Sequence, residues 1–259
     1  MNRCIKFSLL ALCVFSALAE VASACVAPKA SVTLAPVGET LEQPHRVFVL
    51  THGMGGVERD GRFLDLAMSL KKSVPDANVY LLDWSDLSQA KGLMGLPNPW
   101  AVASRIDRVG RHGASLTLKN GIKPHQIILI GESFGVYVNH RIATELGGVS
   151  LAIALNPANE NAGYPPPDLR SSATRSLCFV TASPYDTQLV EADQILRHDS
   201  GPDENPIALH TIGIRWLREN IQNRHLSNNV SLTRRASIDD PDVFFFALTQ
   251  EPGGLATAL

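Results

Sequence analysis

The sequence has little of what would indicate a metal, a cofactor or a nucleic acid. Its four cysteines are scattered, and its eight histidines form no H-x-H or H-E-x-x-H pair, so no zinc-binding spacing is present. No G-x-G-x-x-G run opens a helix, which leaves the chain without a dinucleotide-binding fingerprint. A formal net charge of −2 supplies no basic surface for nucleic acid. We therefore predict no cofactor, no metal and no nucleic-acid partner.

Low-complexity tracts and internal repeats are missing as well. With 45% apolar, 19% charged and 6% aromatic residues, the composition is that of an ordinary globular protein. A chain of 259 residues is long enough for one large α/β domain with a substantial core.

The N-terminus has the pattern of a leader rather than of a folded segment. Arg3 and Lys6 accompany the apolar run 7–19, FSLLALCVFSALA, which is too short to span a bilayer comfortably. An A-x-A cleavage pattern follows at 22–24. We expect residues 1–24 to be a signal peptide and the mature protein to be exported, into a periplasm or out of the cell.

Two cysteines would remain in the mature chain. Cys25 directly follows the cleavage pattern and could carry a lipid that anchors the protein to a membrane, although Ala22 replaces the leucine usual at such sites. A Cys25–Cys178 disulfide is the alternative in an oxidising compartment. Cys178 lies in the apolar run SLCFVT, so we expect it to be a buried core thiol.

Short apolar runs alternate with helix-like stretches along the chain. The runs are continuous, as in strands buried on both faces of a parallel sheet. They occupy 46–51, 78–83, 126–131, 150–155 and 177–182, with a weaker sixth at 193–198. Helices are predicted at 62–73, from 99 towards 121, from 134 to 147 and at 211–220. The alternation predicts an α/β fold with one mostly parallel, doubly wound sheet, helices on both faces, and ligand sites at the carboxyl ends of the strands.

The pentapeptide Gly131-Glu132-Ser133-Phe134-Gly135 joins the apolar run QIILI to a helix-like stretch. A G-x-S-x-G pattern in this setting is typical of a nucleophile elbow, a sharp strand-to-helix turn that exposes the serine hydroxyl. We therefore predict that Ser133 is an activated nucleophile.

A glycine-rich loop follows the first of these strands. It runs His52-Gly53-Met54-Gly55-Gly56, at a strand end where partners of Ser133 should lie. The backbone N–H groups of Met54 and Phe134 could converge there on an oxyanion. We expect His52 to hold the loop rather than to act as a base.

Four segments in order, VFVLTHGMGG, NVYLLDWSD, IILIGESFG and LAIALNPA, resemble the α/β-hydrolase superfamily and in particular the pancreatic-type lipases. The match covers residues 46–158. The resemblance implies an α/β-hydrolase fold and hydrolysis of carboxylic esters through an acyl-enzyme, carried by a Ser–His–acid triad. It assigns the nucleophile to Ser133 and one oxyanion donor to Met54. No long insertion is present that would form a large cap domain.

One position departs from that family pattern. Asn156 stands where those lipases have their catalytic Asp, and an amide cannot stabilise an imidazolium as a carboxylate does. Most other α/β-hydrolases take the acid one strand later, where this chain has Asp186. We therefore predict Asp186 as the acid, keep Asn156 as the alternative, and note Asp168 and Asp193 as outside candidates.

The base should follow the acid in chain order, after the last strand. His210 lies just before the final predicted helix, and His198 ends the weak sixth strand. We favour His210 and keep His198 as the alternative.

These residues predict an exported serine hydrolase, a lipase or esterase acting on a small-molecule or lipid ester. Two alternatives stay open. One is another acyl-transfer enzyme, such as a thioesterase, peptidase or transacylase. The other is a non-catalytic binding protein with a hydrolase fold, which the replacement at Asn156 would explain. We expect the catalytic domain to cover 25–225 and assign no role to the C-terminal stretch 226–259.

Overall fold

A computed structural model describes residues 31–55, 61–89, 97–160, 163–198 and 205–224. The predicted signal peptide, Cys25 and the C-terminal stretch 226–259 lie outside these ranges, so the expectations for them stay predictions. Within the described ranges, no helix is both long and apolar enough to cross a membrane.

The described residues form a seven-stranded sheet with the order β1-β3-β2-β4-β5-β6-β7. Neighbouring strands run parallel, except that β1 is antiparallel to β3. The strands are β1 Thr33–Pro36, β2 Arg46–Thr51, β3 Ala77–Asp83, β4 Ile127–Glu132, β5 Val149–Leu155, β6 Ala173–Thr181 and β7 Gln194–His198. The predicted mostly parallel sheet is confirmed, and each of the six apolar runs corresponds to one strand.

Strand β1 was not predicted from the sequence. It is four residues long, ends in Pro36 and is mostly exposed, so it shows neither an apolar run nor a clear alternation. Its place at the edge of the sheet explains this composition, because proline is tolerated in edge strands.

Helices cover both faces of the sheet. They are α1 Arg62–Ser73, α2 Ser85–Ser88, α3 Pro99–Ala103, α4 Ile106–Lys119, α5 Phe134–Glu145, α6 Pro206–His210 and α7 Ile212–Arg224. Side chains of α1 and α7 pack in one core cluster, and side chains of α4 and α5 pack in the other. Successive residues of β2 point alternately into the two clusters, Val47 into one and Phe48 into the other. Burial on both faces explains why the strands read as continuous apolar runs.

The long helix predicted from residue 99 is in fact two helices. Asn98 caps the first, since its side chain accepts a hydrogen bond from Ala101 N at 3.1 Å. The chain then turns at Ser104 and Arg105 before α4 begins. The apolar positions Val102 and Ile106 keep a helical spacing across this turn, so periodicity could not reveal the break.

Cys178 is the buried core thiol that the sequence predicts. It lies in the middle of β6, fully buried and free. Burial raises the pKa of the thiol to about 12, which leaves almost no thiolate at neutral pH.

Candidate active site

The Ser133 backbone makes the sharp turn that the pentapeptide predicts. Ser133 lies between β4 and α5 with φ 53° and ψ −124°, outside the regions that a non-glycine residue normally occupies. Close packing supports this turn, because a Cβ at Gly135 would collide with the Thr51 carbonyl oxygen at the end of β2. Two neighbouring strands therefore hold the serine at their shared carboxyl edge.

His210 is the imidazole that reaches this serine. It ends α6, and its Nε2 lies 2.9 Å from Ser133 Oγ. Its Nδ1 lies 2.5 Å from Asp186 Oδ1, in the loop after β6. Because an ionised carboxylate can only accept, Nδ1 carries the proton and Nε2 is free to accept the serine hydroxyl proton. The structure thus brings together Ser133, His210 and Asp186 from three distant parts of the chain.

The second carboxylate oxygen of Asp186 is held by donors on both sides. Oδ2 accepts hydrogen bonds from Thr181 N at 2.8 Å, Thr181 Oγ1 at 2.9 Å and Asn156 Nδ2 at 2.7 Å. The Asp186 side chain has no exposed surface. With Oδ2 engaged in this way, Oδ1 is the oxygen presented to His210.

The Asn156 side chain hydrogen-bonds Asp186. The residue is fully buried just beyond β5, in the left-handed region at φ 46°, which asparagine tolerates better than most residues. Its Nδ2 donates to Asp186, and its Oδ1 accepts from Gly213 N at 2.8 Å. A longer contact of 3.4 Å joins Nδ2 to Leu209 O. The side chain therefore links Asp186 to the segments on both sides of His210, a set of contacts that the sequence analysis missed.

The alternative residues have other contacts. His198 ends β7, and its ring stacks on Phe179 with 6.3 Å between centroids. Asp168 accepts from the backbone of Arg170 and Ser171, as a turn residue does. Within the described part of the chain, the ring in contact with Ser133 Oγ belongs to His210.

The glycine-rich loop passes directly against the serine. A Cβ built at Gly53 would lie 2.7 Å from Ser133 Cβ, so only glycine fits there. Met54 follows with 42% of its surface exposed. Phe134 is the first residue of α5, so its backbone N–H has no acceptor within the helix. The two predicted oxyanion donors therefore belong to segments that adjoin Ser133; Gly56, the last residue of the loop, lies outside the described residues.

His52 holds this loop through hydrogen bonds at both ring nitrogens. Nδ1 lies 2.7 Å from Gly53 O, and Nε2 lies 3.2 Å from the backbone N of Trp84. Since a backbone N–H can only donate, Nε2 is the acceptor from Trp84 N, and Nδ1 is the donor to Gly53 O. Trp84 returns a bond from Nε1 to His52 O at 2.8 Å and stacks on the ring. This geometry matches a structural residue.

The strand order and the nucleophile elbow at Ser133 together identify the fold. A mostly parallel sheet crosses over between β2 and β3, and a strained serine follows the central strand β4, with Asp186 in the loop after β6 and His210 at the end of the short helix after β7. This is the α/β-hydrolase fold. The expected fold is confirmed. The likeness to pancreatic-type lipases is loose, because Asn156 stands at their acid position and hydrogen-bonds Asp186.

Several solved structures with a similar chain course bear the names of hydrolases, at low sequence identity. A phospholipase/carboxylesterase from Dyadobacter fermentans is 17% identical, with 75% of this chain and 98% of that chain covered and a TM-score of 0.44. Esterase PE8 is 18% identical, with coverage of 76% and 98% and a TM-score of 0.46. Est1E from Butyrivibrio proteoclasticus is 12% identical, with coverage of 76% and 93% and a TM-score of 0.43. No protein-family model and no curated protein matches the sequence.

Removing the Asn156 amide should destabilise the hydrolase fold. In N156A, the buried Gly213 N–H and Asp186 Oδ2 each lose a partner, which costs about 2–4 kcal/mol for the two groups together. Urea unfolding monitored by circular dichroism would measure the change. N120A is the matched control, because Asn120 is exposed and bonds only within its own helix end. A loss in N156A no larger than in N120A would contradict this assignment.

Proposed function

We propose that this protein is a serine ester hydrolase in which Ser133 is the nucleophile, His210 the general base and Asp186 the acid that orients the base. The observation that supports this most directly is the continuous hydrogen-bond chain from Ser133 Oγ through both nitrogens of His210 to Asp186 Oδ1. A serine nucleophile needs this arrangement, because its hydroxyl is unreactive until a base takes the proton.

The proposed reaction has two steps with the same base. Ser133 Oγ attacks the ester carbonyl carbon while His210 Nε2 takes the hydroxyl proton. The bond to the alcohol breaks, the alcohol leaves with that proton, and an acyl group remains on Ser133. Water then attacks the acyl carbon and gives a proton to His210. The bond to Oγ breaks, Oγ recovers the proton, and the free acid departs.

Oxyanion stabilisation is assigned to the backbone N–H groups of Met54 and Phe134. Both lie in segments that adjoin Ser133, one after β2 and one at the start of α5. The helix N-terminus adds favourable partial positive charge for an oxyanion. We also propose that the protein acts after export, on the basis of the pattern in residues 1–24 and its cleavage site.

This geometry removes the reason for considering a non-catalytic binding protein. That alternative rested on Asn156 leaving the base without an acid, and Asp186 supplies that carboxylate. Thioesterase, peptidase or transacylase chemistry would use the same three residues, so a panel of acyl donors and acceptors distinguishes these from ester hydrolysis.

Ser133 can be tested by direct labelling. A fluorophosphonate should label the wild-type protein and leave S133A unlabelled, and S133A should cleave esters at least 10³-fold more slowly. The readouts are in-gel fluorescence and hydrolysis of p-nitrophenyl esters. S104A, which alters an exposed serine, is the control and should behave as wild type. Wild-type turnover in S133A would rule out the proposal.

Asp186 can be tested by an isosteric amide. Donors from Thr181 and Asn156 surround Oδ2, so in D186N the amide oxygen would take that position and the NH₂ group would face His210 Nδ1. The ring would then have to accept at Nδ1 and carry its proton on Nε2, where it cannot deprotonate Ser133. We expect kcat to fall about 10⁴-fold, as in a serine protease with the same exchange.

A control variant and a folding check show whether a fall in kcat of D186N comes from the loss of this carboxylate. D168N is the matched control, since Asp168 is half-buried in a turn where it accepts from Arg170 N and Ser171 N, and the exchange should leave kcat unchanged. Circular dichroism and unfolding curves would establish that D186N is folded. A folded D186N with kcat within tenfold of wild type would show that Asp186 is not the acid.

A further inference from the structure

Tyr185 is an aromatic residue beside the base that the proposed mechanism does not use. Its ring stands edge-on to the His210 ring, with 5.9 Å between centroids and 65° between planes. Almost half of its surface is exposed, at 48%. A large ring open to solvent next to a base is an apolar contact surface at the site where the chemistry would occur.

The backbone that carries Tyr185 is firmly held. Asn159 N donates to Tyr185 O at 2.8 Å, and Tyr185 N donates to Ser183 Oγ at 3.2 Å. Ser183 Oγ in turn donates to Pro206 O at 2.9 Å, which ties this loop to the first turn of α6. An exposed ring on a fixed backbone loses little conformational entropy when a ligand covers it.

The reaction chemistry indicates which part of an ester substrate would contact the Tyr185 ring. His210 Nε2 must give its proton to the leaving alcohol oxygen, so the alcohol has to lie within hydrogen-bond reach of His210. Tyr185 packs on that same imidazole, whereas the proposed oxyanion donors belong to the β2 loop and the start of α5. We therefore expect the ring to contact the alcohol part of the substrate rather than the carbonyl oxygen.

A second exposed apolar side chain lies on the helix that carries His210. Ile207 lies one helical turn before His210 on α6, and 65% of its surface is exposed. Residues at this spacing share one face of a helix. Tyr185 and Ile207 thus belong to the two segments that Ser183 ties together, one in ring contact with His210 and the other on its helix.

We propose that Tyr185, extended by Ile207, binds the alcohol part of the substrate, so that the enzyme prefers esters of aromatic or other flat apolar alcohols over esters of small alcohols. This specificity rests on the ester hydrolysis proposed above.

The test compares methyl and benzyl esters of the acyl chain that the wild-type protein cleaves fastest. The two alcohols are similarly acidic, so they differ chiefly in the ring. Truncation in Y185A should lower the benzyl-to-methyl ratio of kcat/KM about three- to tenfold, the range expected for losing one aromatic contact. Y185F keeps the ring and should keep the ratio. Hydrolysis of the shared acyl-enzyme should be unchanged in Y185A, because the alcohol has already left.

Controls separate this proposal from the proposed function. L118A truncates an exposed leucine near the end of α4 and should leave the ratio unaltered. An unchanged ratio in an active Y185A, or a loss that follows the acyl group instead, would overturn the alcohol-binding surface and leave ester hydrolysis standing. A wild-type protein that neither cleaves these esters nor labels with a fluorophosphonate would overturn both.

Discussion

The proposed site depends on the buried amide of Asn156, which lies between Asp186, the proposed acid, and the helix that follows His210, the proposed base. Its Nδ2 donates to Asp186 Oδ2 and its Oδ1 accepts from Gly213 N. These two bonds connect the end of β5 to the loop after β6 and to the start of α7. The Asn156 backbone also accepts a hydrogen bond from Ser133 N at 3.2 Å. One residue therefore touches the segments that carry all three groups of the proposed triad.

An amide suits this position better than a carboxylate would. Asp186 is fully buried, and a second carboxylate against Oδ2 would repel it without water to screen the charge. An asparagine donates to the carboxylate with one atom and accepts from a backbone N–H with the other, so both neighbours are satisfied without adding charge. The departure from the lipase-like pattern is therefore part of the same arrangement that places the acid after β6.

Much of this arrangement could be predicted from the sequence, because its signals are local. Continuous apolar runs mark the six parallel strands, and the pattern around Ser133 marks a turn that only glycines permit. Asp186 was predicted from the resemblance to the α/β-hydrolases, most of which take the acid one strand later, and His210 from the expectation that the base follows the acid in chain order.

What the sequence could not show depends on contacts between distant segments. The role of Asn156 requires the distances to Asp186 and Gly213, which are 30 and 57 residues away. In the sequence, Tyr185 has the pattern of an ordinary turn residue, and only the structure shows that its ring contacts His210. The short helix α6 was missed because five residues are too few for a periodic pattern.

The central claim is that the carboxylate of the triad belongs at position 186 and that Asn156 only supports it. The most direct measurement is kcat for the exchanged pair N156D/D186N beside D186N alone. Our account predicts that the exchanged pair is no more active than D186N, since the side chain at 156 bonds Asp186 and Gly213 rather than His210. Recovery of kcat to near the wild-type value in the exchanged pair would contradict it.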